Sequence, residues 1–241
     1  MMNTKKHVLF LMLMLFVGAF NAALAGNSKK TEIRKVKNFD AVSVSTGIDL
    51  FLRMGDEKEV KVVADEDVVD NIITEVKNGT LRIYSKKSNF FGFFNFSSSS
   101  PRKVYVTVSD LKSIEASSGS DVKSENTLRG DALNVSSSSG SDVVLDVIYK
   151  DVSLSSSSGS DIRVTGKAKT VKAAASSGSD IDARNLISEI CYANTSSGAD
   201  ISVFAKQEIH AGASSGGDIR YYGNPPVKNI EESSGGDVSG R

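Results

Sequence analysis

Seven times between residues 117 and 238 the chain returns to one six-residue phrase, S-S-G-[SAG]-D-[IV], and no other feature restricts its fold as much. The glycines are Gly119, Gly140, Gly159, Gly178, Gly198, Gly216 and Gly235, separated by 21, 19, 19, 20, 18 and 19 residues. A degenerate eighth copy stands earlier, at Ser45-Thr46-Gly47-Ile48-Asp49-Leu50. Aligned on the glycine, apolar residues fall on alternate positions. Val122, Val143, Ile162, Ile181, Ile201, Ile219 and Val238 stand three after it, and Ile114, Val135, Leu154, Ala173, Ala193, Ala211 and Ile230 five before it. Alternation is the period of a strand with one buried face, and helical spacing does not fit. Arg163, Lys167, Lys169 and Lys172 fall on the opposite, solvent parity.

A unit of about 19 residues with two alternating stretches and a Ser/Gly corner cannot bury its apolar face alone and must stack on copies of itself. The expected fold is all-β, a right-handed parallel β-helix (β-solenoid). Its coils lie about 4.8 Å apart. The small residues Ala173, Ala175, Ala193, Ala211 and Ala213 predict a narrow interior. Of the chain's 38 serines, 27 lie from Ser117 onward, so the serine excess belongs to the repeat rather than to a disordered tract.

Two polar columns accompany the apolar ones. The serines one before each glycine, Ser118, Ser139, Ser158, Ser177, Ser197, Ser215 and Ser234, share the inward parity and are expected to form a buried hydroxyl ladder. The aspartates two after it, Asp121, Asp142, Asp161, Asp180, Asp200, Asp218 and Asp237, repel one another and need compensation. Corner hydrogen bonds of the Asx-turn kind are the structural solution. A line of Ca²⁺ ions is the functional one, and no other cofactor is expected. The calcium-binding nonapeptide repeat differs in period and in where its apolar residue follows the aspartate.

Before the repeat the chain divides into three parts. Residues 1–25 read as a signal peptide: Lys5 and Lys6, an apolar run from Val8 to Ala19, and Ala23-Leu24-Ala25 as cleavage site. The run is shorter than the roughly 20 residues needed to span a bilayer, so no transmembrane segment is expected in the mature chain. Residues 26–115 read as a β-rich cap with the first coils, and 116–241 as the regular coils. Within the cap, Val68, Val69, Ile72, Ile73 and Val76 fit one face of a short helix capped by Asp65 or Asp67, and Asn78-Gly79 is a turn. The Phe-rich loop 89–100 contains Phe90, Phe91, Phe93, Phe94 and Phe96, either tucked against the solenoid or exposed as a contact patch.

Equal numbers of basic and acidic residues, 29 each, argue against nucleic acid as a partner. Loss of Lys5 and Lys6 with the signal leaves 27 against 29. The lone Cys191 has no disulfide partner within the chain. Past the signal the single histidine, His210, lies between inward Ile209 and Ala211 and is expected to point outward alone, which leaves neither a Ser/His/Asp triad nor a zinc site.

The runs from Phe39 to Leu50, Val62 to Ile72, Gly79 to Ile83 and Val104 to Ile114, the S-G-S-D coils and Tyr221-Tyr222-Gly223-Asn224-Pro225 resemble the putative auto-transporter adhesin, head GIN domain family of Gram-negative bacteria. The resemblance covers about 33–240 and implies an exported β-solenoid with an adhesive role and no catalytic motif. Its partner would be a protein or glycan surface, met in the periplasm, at the outer membrane or outside the cell. The competing readings are a structural envelope protein that forms homo-oligomers through the Phe loop or coil ends, and a polysaccharide-active enzyme on a β-helix. No outer-membrane barrel fits after the repeat within these 241 residues.

Overall fold

The computed structural model describes residues 28–86 and 101–241. The signal segment and the Phe-rich segment, with Phe90, Phe91, Phe93, Phe94 and Phe96, lie outside the described residues. Among the described residues seventeen strands join in one continuous β-solenoid. The early ones are β1 (Lys29–Ile33), β2 (Ala41–Val44), β3 (Asp49–Met54), β4 (Glu59–Asp65), β5 (Ile72–Lys77), β6 (Thr80–Ser85), β7 (Lys103–Val108), β8 (Ser113–Ala116) and β9 (Asp121–Ser124). The coils follow as β10 (Leu128–Ser138), β11 (Asp142–Ser157), β12 (Asp161–Ser176), β13 (Asp180–Thr195) and β14 (Asp200–Ala213). Last come β15 (Asp218–Tyr222), β16 (Val227–Glu232) and β17 (Asp237–Gly240).

Sixteen residues of β11 drawn straight would span about 53 Å, so such a strand must bend. The bend shows in its burial: Val143, Leu145, Val147 and Tyr149 are buried, Lys150 and Asp151 are both exposed, and Val152 and Leu154 are buried on the other parity. Each coil thus has two faces, closed at one side by this bend and at the other by the S-S-G corner. The apolar columns pair in parallel register from coil to coil, Val143 with Ile162, Ile162 with Ile181 and Ile181 with Ile201. Each fully buried Ile, Leu or Val contributes about 1.5–3 kcal/mol, and the column supplies one or more per face of every coil.

The degenerate copy at Ser45–Leu50 is a true corner. Thr46 and Gly47 both have φ of 67°, and the Gly47 N–H donates to the Ser118 carbonyl at 3.1 Å. Spatial order departs from chain order here. The β2–β3 coil lies between β6–β7 on one side and β8–β9 on the other, all parallel. Beyond β6 and β7 come β5 and β4, antiparallel to them, and then β1 against β4. β6 and β7 therefore lie on the same two faces as β2 and β3.

The short helix is corrected: only a single 3-10 turn, Val69–Asn71, forms, and Ile72, Ile73 and Val76 lie in β5. Val68 at its start makes no side-chain cap, and the β-branched residues that follow favour a strand. Asn78 and Gly79, with φ of 52° and 78°, close β5 onto β6 as a two-residue hairpin.

Candidate functional site

The corner sets what each repeat shows to solvent. Ser118, Ser139, Ser158, Ser177, Ser197, Ser215 and Ser234 all have φ between 50° and 58°, and the glycine after each is also left-handed. These serines are exposed, which corrects their placement in an inward ladder. Side chains alternate across a strand only while the backbone stays extended, and two left-handed residues in succession swing the predicted inward serine out. Open space surrounds the corner glycines, so their φ, not crowding, selects glycine.

A buried ladder exists, built from the neighbouring columns. Ser120, Ser141, Ser160 and Ser179, one after the glycine, have no exposed surface. The Ser160 hydroxyl donates to the Ser157 carbonyl at 2.8 Å and accepts the Ser157 N–H at 3.2 Å, and Ser179 repeats this with Ser176 at 2.9 and 3.2 Å. From the other side Ser137, Ser156 and Thr195 donate to the carbonyls of Ser141, Ser160 and Ala199 at 2.7–2.8 Å. Where the column changes to Gly217 and Gly236, a side chain would meet Thr195 at 2.9 Å or the Ala213 backbone at 2.5 Å. The [SAG] position is therefore steric.

The aspartate column projects outward in register from Asp121 to Asp237, with Asp49 beside Asp121 at its start. Serine hydroxyls close the corner. Burial first, and the Asp49 charge second, push the Asp121 carboxyl above its ordinary range. Further along, Arg220 approaches Asp200 at 3.9 Å and Asp218 at 3.7 Å, while Asp182 draws Arg184 to 2.8 Å and Arg163 to 3.8 Å. Among the described residues no three His, Cys, Asp or Glu side chains converge to hold a metal ion. Arg220 thus compensates two of the seven column carboxylates, Asp200 and Asp218, whereas Asp182 stands outside the column.

On the other side of the corner runs a groove of about 630 Å³. It crosses five coils along the solenoid axis. Its floor is one in-register column, Ser155, Ala174, Asn194, Gly212 and Glu231, and its inner wall the serines Ser157, Ser176, Ser196, Ser214 and Ser233. Beside the floor, two residues back along each strand, Tyr192 and His210 stack at 4.7 Å between centroids and 10° between planes. Tyr192 is 37% exposed. His210 is not alone: its Nε2 lies 2.6 Å from Glu208 Oε1. The backbone amides and carbonyls under the groove are spent on coil-to-coil pairing, so what it offers a ligand is hydroxyls, one amide, carboxylates and an aromatic edge.

The family model described as "Putative auto-transporter adhesin, head GIN domain" matches residues 38–225. Among solved structures, a putative adhesin from Bacteroides fragilis is 23% identical with a TM-score of 0.79, over 89% of this chain and 97% of that one. A putative lipid binding protein from Parabacteroides distasonis is 20% identical with a TM-score of 0.67, over 89% and 98%. A putative adhesin from Parabacteroides merdae is 16% identical with a TM-score of 0.69, over 90% and 97%. These share the fold. No curated protein matches the chain.

Proposed function

The chain belongs to the putative auto-transporter adhesin, head GIN domain family, and from that premise we propose that it is an exported, non-enzymatic binding module of a Gram-negative envelope that holds an extended partner in the serine groove. The observation that carries this is the groove itself, continuous over five coils and bordered by the Tyr192–His210 stack. A long, shallow, hydroxyl-lined channel on a rigid scaffold suits a chain-like ligand, a glycan or an extended protein segment, better than a compact one. The fold also occurs in a protein described as lipid binding, but hydroxyls and carboxylates make a poor lining for acyl chains. No helix among the described residues is long and apolar enough to cross a membrane.

The chemistry in reach supports binding over turnover. His210, the only histidine among the described residues, engages Glu208 rather than a serine nucleophile. The test is binding of purified protein to glycan and matrix-protein arrays, with Ala174→Arg to block the exposed floor. Binding lost in the blocked variant with unchanged urea unfolding supports the proposal; polysaccharide turnover, or binding indifferent to the block, defeats it. A second reading, association of two copies, draws on Val227 and Ile230, 51% and 39% exposed on β16, which pairs only with β14. Sedimentation over a range of concentrations separates the two.

A further inference from the structure

A different face, at the other end of the solenoid, carries a row of lysines and aromatic rings. Across β9, β3, β7, β4 and β1, one in-register outward row reads Lys123, Phe51, Tyr105, Lys61 and Ile33. The two rings stack at 4.9 Å and 17°. Lys61 Nζ lies 4.7 Å from the Tyr105 centroid, and Lys103 Nζ lies 5.6 Å from that of Phe51. Farther along the solenoid Arg163, Arg184 and Arg220 are ion-paired; here Lys61, Lys103 and Lys123 have no ion pair among the described residues. Carboxylates flank the row instead of neutralising it: Asp49 in register with Lys103 on one side, and Glu59 two residues from Lys61 on the other.

We propose that this row is a binding track for a linear acidic polysaccharide, whose uronate or sulfate groups meet Lys61, Lys103 and Lys123 while its hydroxyls donate to Asp49 and Glu59. The shape of the charge selects this class. A planar anionic membrane would meet the flanking carboxylates together with the lysines and gain little, whereas a chain laid along the row meets the cations in series. Single-stranded nucleic acid is held by bases stacking on open ring faces, and here each ring already has the other ring against it and an ammonium over it. A hydroxylated anion also uses the flanking carboxylates, which would only repel a polyphosphate.

The track is independent of the serine groove, so its test is separate. Affinity electrophoresis of the purified protein through polygalacturonate or heparin, against neutral dextran, should show retardation by at least one polyanion that fades as salt rises. Lys61→Gln/Lys103→Gln/Lys123→Gln should weaken it about tenfold, the loss of three exposed ion pairs. Lys123→Gln, which leaves the stacked rings covered, should weaken it in part, and Lys167→Gln/Lys169→Gln not at all. No retardation, retardation equal in the triple and control variants, or stronger binding to phosphatidylcholine–phosphatidylserine vesicles than to either polyanion would each overturn the assignment.

Discussion

Replacing Ser160 by alanine separates the two serine columns energetically. Its hydroxyl donates to the Ser157 carbonyl at 2.8 Å, accepts the Ser157 N–H at 3.2 Å and touches the Ser156 hydroxyl at 2.9 Å, all without exposed surface. Alanine fits the site, since Ala199 occupies the same position two coils on. The change therefore removes hydrogen bonds without a clash, and leaving their buried partners short costs about 1–3 kcal/mol. Ser158 is exposed and left-handed, so Ser158→Ala alters neither packing nor backbone class and should stay within about 0.5 kcal/mol of wild type. Urea unfolding of the two variants, together with hydrogen exchange at the Ser157 amide, reads both effects. Exchange there should quicken about tenfold or more in Ser160→Ala alone. Equal stabilities, or the larger loss in Ser158→Ala, would refute the assignment of the buried ladder.

Gly166 has φ of 118°, and a Cβ there would lie 1.9 Å from the Val147 carbonyl oxygen of the coil below. Gly166→Ala should thus cost more than about 3 kcal/mol by forcing two paired backbones apart, whereas Gly159→Ala, in open space, pays only left-handed strain of about 1–2 kcal/mol. A difference in urea midpoint between the two checks this. Cys191 is fully buried and burial pushes its thiol up to about 12, so alkylation at pH 8 should await unfolding; rapid labelling of native protein would contradict the packing. Because the Asp121 carboxyl is held above its ordinary 3.8, the folded chain binds that proton more tightly than the unfolded one, and stability on this account rises as pH falls through the folded value. Asp121→Asn should accordingly exceed wild type in melting temperature at pH 7, with the gap closing as the pH approaches 3.8.

What could be read from the chain follows a physical divide. Column parity located the core because Ile162, Ile181 and Ile201 lie in extended backbone, where alternation holds. It failed at Ser158 because the residue before a left-handed glycine is itself left-handed, a conformation that parity does not describe and that any of the seven repeats would have concealed equally. It was ambiguous at Ile72, Ile73 and Val76, whose spacing satisfies a helical face, and only their β-branched chemistry and the hairpin at Asn78-Gly79 decide for a strand. The Tyr192–His210 stack was within reach, since both stand six before their glycines and so on adjacent coils. The Phe51–Tyr105 stack was not. Its strands lie side by side only because β6–β7 returns to the outer side of β2–β3, and a repeat aligned in chain order gives no warning of that reversal. The same reversal sets Phe51, Tyr105 and Lys61 in one row with Lys123, which follows the Asp121-Val122 of the first repeat. The regular coils thus supply a scaffold, and the stacked rings with their lysines form where strand order departs from chain order.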